Sequence, residues 1–437
     1  MVWLCFIWFS ILYGGTFYFS RAHDFFSPLK FVSLKLIIIN LPFILYSAFF
    51  HDSVLERVLT VCNVTIDEAF WQYTKVQTVA YISLIAGVLL YNKIFKGKSY
   101  LQYRQQAPVY TYKSIKIAAY IFIAAGLAGY FIFLFNIGGL SVLLSNLANR
   151  VALQGGQYIL ILLPFLSLGG VCLLLNIKQK NRFWDKVAFV AFSVLIIAVF
   201  TSFGSRKSSV IYIIILIVAA YYFYGAKLKN KNMFIMGGLV SVSIVIYMLL
   251  IPLLRGDKSD IKSAVTFRQL VYHTSYTFID VFAANYFNEN NIWQMKGYFT
   301  PVKVLGTSQS RDSLPQLDQG VYFNTIVYQK RYVAPPVPRS ELSRASWPTE
   351  NFGFAYANFL MPGIIFFFFL LGMVYTFVYR ILCKDVFNPI LVTLYTIVIF
   401  SFDFSSLRIA NMLRLLPVLF TAYILLKLLN NRKIIVS

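Results

Sequence analysis

Residues 252–352 begin PLLRGDKSD (252–260), continue through FRQLVYHTSYTFIDVFAANYFNENN (267–291) and run out into APPVPRSELSRASWPTENFGF (334–354). This polar, charge-bearing stretch interrupts a chain that is otherwise mostly apolar. Loops beyond about 15 residues are usually functional or disordered. The density of Tyr, Phe and Trp here argues against disorder. Function is expected in this segment, together with the short loops that meet it on the same side of a membrane.

The membrane follows from composition. Of 437 residues, 59% are hydrophobic and 13% charged, and the mean hydropathy is +0.69. That much apolar surface fits a polytopic membrane protein of the all-α class. A spanning helix needs about 20 mostly apolar residues. That length predicts about eleven spans, at 2–20, 31–50, 72–92, 116–135, 158–177, 187–203, 209–225, 233–251, 353–379, 388–403 and 413–430. The chain so divides into spans one to eight (1–251), a large, partly helical external loop (252–352), and spans nine to eleven with the C-terminus (353–437). The opening MVWLCFIWFSILYGGTFYF lacks a basic leader and reads as an uncleaved first span.

The net charge of +23 does not indicate a nucleic-acid partner, because the cations cluster in short segments between spans. One set of loops carries 19 cations against three acids; the short loops on the other side carry five of each. The first set is therefore expected in the cytoplasm with the C-terminus, and the N-terminus and residues 252–352 outside. Four scattered cysteines and three distant histidines give neither a disulfide framework nor a metal site.

The external side gathers arginines. Arg206 stands in TSFGSRKSS at the start of a helix, where guanidinium, hydroxyls and a helix N-terminus all favour an anion. The alternative is a snorkelling interfacial side chain. Arg255 follows the eighth span directly, and Arg268 lies in a stretch of helical spacing one turn from Tyr272. Arg150 is the one cation of its external loop, and Arg408 faces Asp403 across a short turn, so that those two either pair or serve separately. Two groups are candidate bases: His273, which lies two turns from Asp280, and Glu350, which stands just before a span. His273 also fits an ordinary surface residue, and Glu350 an N-cap region.

The eleven spans, the large loop before the last three, GSR (204–206), RG (255–256) and ENFGFAYANF followed by PG (350–363) resemble the Wzy-type O-antigen or oligosaccharide repeat-unit polymerases. The resemblance covers roughly residues 115–430. It implies a membrane glycosyltransferase (GT-C-like) fold in the bacterial inner membrane. It also implies a reaction without metal or cofactor, in which a glycan moves from undecaprenyl pyrophosphate onto an incoming lipid-linked repeat unit. The implied partners are the undecaprenyl-pyrophosphate-linked oligosaccharide, membrane lipid and a chain-length regulator protein. Arg206 and, with it, Arg255, Arg268, Arg150 and Arg408 would meet the pyrophosphate or glycan, with His273, Asp280 or Glu350 as base. An O-antigen ligase of the same fold, and a lipid-linked oligosaccharide flippase or other transporter, are the alternatives. The flippase predicts polar residues lining mid-membrane helices.

Overall fold

The computed structural model describes residues 1–20, 24–50, 53–95, 109–146, 153–154, 157–203, 206–224, 268, 271–272, 275, 277–296, 298, 316–343, 345–347 and 349–431. Fourteen α-helices organise them. They are α1 (Val2–Phe19), α2 (Pro28–Phe49), α3 (Ser53–Cys62), α4 (Ile66–Ile94), α5 (Tyr112–Ile137), α6 (Leu140–Ser145), α7 (Pro164–Gln179), α8 (Phe183–Ser202), α9 (Arg206–Tyr224), α10 (Thr277–Tyr286), α11 (Gln319–Gln329), α12 (Asn351–Lys384), α13 (Pro389–Ser401) and α14 (Ser406–Asn431). Among the described residues nine helices are long and apolar enough to cross a bilayer. One of them is α7, extended by a 3-10 turn at Tyr158–Leu162. Ten of the eleven expected spans coincide with an apolar helix, and the span expected at 233–251 lies outside the described residues. The tenth, α13, has 13 residues. At 1.5 Å per residue it is about 20 Å long, short of a hydrocarbon core of about 30 Å.

The chain forms two compact units. In the second (98–266, 380–400 and 412–437), α5 and α7 approach closely because their contact is built from small residues. A side chain at Gly126 would strike Leu166, and one at Gly169 would strike Ile123 and the Ala119 carbonyl. Small residues let helix backbones meet where lipid offers no hydrophobic drive. Tyr130, Phe133, Ile196, Phe200 and Tyr212 complete this core. At one end Lys116 Nζ meets Asp185 Oδ1 at 2.8 Å, and the Tyr112 hydroxyl donates to the same carboxylate at 2.7 Å.

The first unit (1–97, 267–379 and 401–411) holds the features that bear on function. Helix α4 starts at a capping box in which Thr65 and Glu68 satisfy each other's backbone N–H groups. Further along, Gly87 abuts the Phe369 carbonyl and Gly372 abuts the Leu84 carbonyl, so α4 and α12 touch backbone to backbone. The polar segment between the spans does not stand apart from them: α10 packs against α2, α3 and α4. Phe278 sits between Phe43 of α2 and Trp347.

Helix α12 is not one rod. Leu360 has φ 52° and ψ −136°, far from helical values and uncommon for a residue with a side chain. Pro362 follows, which lacks an N–H and clashes with the preceding turn of a helix. In a straight helix residues 354 and 367 would lie about 20 Å apart. Here the Phe354 and Phe367 rings are 5.0 Å apart, and a side chain at Gly363 would strike the Ala355 carbonyl. The chain therefore folds back at Leu360, so that 351–359 form a short helix lying against the longer one that follows. The end of the short helix is closed by the loop before it. Trp293 N–H donates to the Ala357 carbonyl at 2.8 Å, and Met295 N–H to Asn358 Oδ1 at 2.8 Å. This fold-back moves Glu350 away from the span boundary where the sequence places it.

Candidate functional site

In the first unit a cavity of about 60 Å³, partly open to the outside, brings together four charged side chains: Lys35, Asp280, Glu350 and Asp403. They come from four separate parts of the chain, and each is positioned by a traceable local cause.

Lys35 is the eighth residue of α2. It lies about 10 Å along the helix from one end and about 21 Å from the other. With a hydrocarbon core of about 30 Å, that places its stem inside the apolar thickness. A cation there is rare and needs a partner. The partner is Glu350, whose Oε2 lies 3.1 Å from Lys35 Nζ. Glu350 immediately precedes the short helix 351–359, and its carbonyl accepts from Phe354 N–H. As the sequence suggests, it occupies an N-cap position, but its carboxylate turns to the lysine.

Asp280 is placed through Asn40. This buried amide donates to the hydroxyls of Tyr73 (3.2 Å) and Tyr13 (3.4 Å) and accepts from Thr277 Oγ1 at 3.4 Å. Thr277 opens α10, so the tie fixes the start of that helix beside α2. Asp280, one turn on, then faces the cavity. Asp403 is placed through Asn351, whose Oδ1 accepts from Phe404 N–H at 3.3 Å and holds the turn between α13 and α14. Within that turn Asp403 Oδ1 accepts from Ser405 N–H at 2.9 Å, and its Oδ2 lies 3.6 Å from Arg408 Nε.

The electrostatics separate the carboxyl groups. Burial pushes Asp280 well above the usual carboxylate range; the negative charge of Glu350 adds to this and Lys35 opposes it. Asp403 is also pushed up by burial, against the pull of Arg408 and the Ser405 hydrogen bonds. Glu350 instead sits in an ion pair. One cavity thus combines a carboxyl group favouring its proton with a carboxylate held by a cation, the division of labour that acid–base chemistry requires. Asn351, buried at 3% exposure, also keeps its Nδ2 without a partner among the described residues. A group in the cavity able to accept a hydrogen bond would satisfy it.

Of the residues singled out in the sequence, Glu350 and Asp280 meet here although 70 positions separate them. Arg408 stands one contact away, pairing with Asp403 as one of the two sequence readings has it. Arg268 is elsewhere: exposed, with Nη2 3.3 Å from Ser53 Oγ and its guanidinium 5.9 Å from the Tyr272 ring. Arg150, Arg255 and His273 lie outside the described residues, as does the side chain of Arg206, whose backbone opens α9. Lys35 is the functional candidate that the sequence reading passes over. Its signal is a cation inside the apolar run FVSLKLIIINLPF (31–43), with Asn40 about one and a half helical turns beyond. No family model matches this chain, and no curated protein or solved structure matches it either.

Proposed function

We propose that the protein is a glycan polymerase of a bacterial surface polysaccharide, acting on undecaprenyl-pyrophosphate-linked repeat units in the cytoplasmic membrane. The observation that carries this reading is the meeting of Glu350 and Asp280, two of its three candidate bases, in one cavity with Lys35. In the proposed step the hydroxyl of the incoming unit loses its proton to the Glu350 carboxylate as its oxygen bonds to the anomeric carbon of the growing chain. The bond from that carbon to the pyrophosphate breaks, and undecaprenyl pyrophosphate leaves with the electron pair. The charge of the leaving group needs electrostatic stabilisation in a water-poor site, and the external arginines, Arg206 first, are the sequence's candidates for it. The loop-charge asymmetry supports an orientation with the N-terminus outside and the C-terminus in the cytoplasm.

One observation favours a second reading. Lys35 lies about 21 Å along α2 from its Phe49 end, the end this orientation puts outside. Ionisable groups so deep commonly mark an ion or proton path of a transporter. A lipid-linked oligosaccharide flippase is therefore the alternative. A strain lacking the protein separates the two. Single repeat units at the cell surface with no polymer support the polymerase; lipid-linked units held on the cytoplasmic side overturn it in favour of transport. Within that strain, complementation by Arg206→Ala and Arg206→Lys tests the clamp, and full polymer from both would remove Arg206 from the site.

A further inference from the structure

Positive charge gathers in the second unit where α5 begins, α7 ends and α8 begins. Residues 112–116 and 178–186 hold six cations, Lys113, Lys116, Lys178, Lys180, Arg182 and Lys186, against one acid, Asp185. Three of the six converge on a single ring. Lys180 Nζ lies 4.9 Å, the Arg182 guanidinium 5.4 Å and Lys116 Nζ 5.7 Å from the centre of Tyr112. The negative face of an aromatic ring attracts cations brought over it. Lys178 Nζ is held in the same way, 5.3 Å from the ring centre of Tyr224 at the end of α9.

These charges do not balance. Asp185 is buried, and both its carboxylate oxygens are engaged, Oδ1 by Lys116 and Oδ2 by the Tyr112 hydroxyl. Asp385, which lies near Tyr110, accepts from Phe387 N–H at 3.2 Å within its own turn. Lys180 and Arg182 are exposed and form no ion pair among the described residues. Sharing one ring, they stand within about 10 Å of each other, on the order of one Debye length, so their repulsion is only partly screened. Like charges held together in this way are complementary to an anion. A guanidinium matches two phosphate oxygens at once, and an ammonium adds a point charge.

The depth of the cluster selects the anion. Phe183 and Trp184 follow Arg182 directly, open α8, and are 69% and 76% exposed. Large aromatic side chains at the end of a membrane-spanning helix sit at headgroup level. Lys180 and Arg182 stand beside them, within reach of lipid phosphates. We propose that Lys180 and Arg182, held on the Tyr112 ring, bind the phosphate of an anionic phospholipid, with Phe183 and Trp184 among its glycerol and upper acyl groups. The site belongs to the second unit alone and depends on neither the polymerase nor the flippase reading.

The test titrates the full chain, in a nonionic detergent, with phosphatidylglycerol and reads the affinity for the first lipid bound by native mass spectrometry. Phosphatidylglycerol is expected to bind about tenfold or more tightly than phosphatidylcholine, which carries the same phosphate without net charge. Replacing both Lys180→Gln and Arg182→Gln is expected to weaken phosphatidylglycerol about thirtyfold, the worth of two basic residues at a lipid surface. Each single change is expected to cost about fivefold, and the singles carry the test if the double variant does not fold. Arg182→Lys keeps the charge but loses the fork, and its affinity should fall between Arg182→Gln and wild type. Lys93→Gln removes an exposed cation at the end of α4, in the first unit, and is expected to bind as wild type. Equal binding of the two lipids, wild-type affinity in the folded Lys180 and Arg182 variants, or an equal loss in Lys93→Gln overturns the site. Complete displacement of the lipid by millimolar inorganic phosphate also overturns it, and would assign the cluster to a free anion.

Discussion

Replacing Lys35 with Met keeps the length of the side chain and removes its charge. At 3.1 Å, and with an effective dielectric of 20, the gross attraction between Lys35 and Glu350 is about 5 kcal/mol. Desolvation of both groups offsets much of that, so the net worth of the pair is small. Removing one partner is a different perturbation, because it takes away the lysine charge that faces Glu350 beside Asp280 and Asp403. Breaking a fully buried pair costs about 3–5 kcal/mol. The side chains are 13% and 30% exposed, and that solvent access lowers the expected loss to about 2–3 kcal/mol. The assay is reversible unfolding in mixed micelles of Lys35→Met, Glu350→Gln and the double variant. The double variant should regain part of the loss, giving a coupling of about 1–3 kcal/mol. A loss below about 0.5 kcal/mol in Lys35→Met, or strict additivity in the double variant, would refute the claim that this pair organises the cavity.

Three further outcomes follow from the same geometry. Asp280 has a raised folded-state pKa, so between its unfolded and folded values the native protein binds more protons than the unfolded chain. Stability is then lost as pH rises through that window. Asp280→Asn removes the dependence, and its unfolding free energy should exceed the wild-type value by a margin that grows from about pH 4 upward, read from unfolding curves across pH. A flat difference would place Asp280 in water. Gly87→Val drives a side chain into the Phe369 carbonyl and should destabilise by about 1–3 kcal/mol or prevent insertion, whereas Gly14→Val, with open space around it, should behave as wild type in the same unfolding assay. Arg268→Ala should change stability by no more than about 0.5 kcal/mol, because the side chain is exposed, while Arg408→Ala should cost more by leaving buried Asp403 without its ion-pair partner.

The spans were legible because a hydrophobic run of bilayer length admits few other readings, and the described helices follow those runs closely. Glu350 is legible as a candidate because a carboxylate beside an apolar span is costly and so stands out, whereas Asp280 enters through the reaction that the resemblance implies. What the pattern concealed was the fold-back at Leu360. Residues 353–379 read as one continuous apolar stretch, and hydropathy carries no sign of direction within it. The dipeptide Pro362–Gly363 was the visible hint, yet proline is common enough in membrane helices that it does not by itself announce a reversal. Missing the reversal hid Lys35 as well. On a straight-helix reading Glu350 stays at the boundary of its span, and a lysine well inside α2 has no counter-charge to suggest its purpose. Asn40, which brings α10 against α2 through Thr277, was likewise invisible, because its two sides join segments 237 residues apart.

The central claim is that glycan transfer takes place at the cavity of Glu350, Asp280 and Lys35. It is tested most directly by reconstituting the purified protein in lipid with repeat units extracted from the deletion strain and separating the products by length. Wild-type protein should yield a ladder of lengthening glycans and release undecaprenyl pyrophosphate with each step. Folded Glu350→Gln should yield neither. A full ladder from Glu350→Gln would contradict the account.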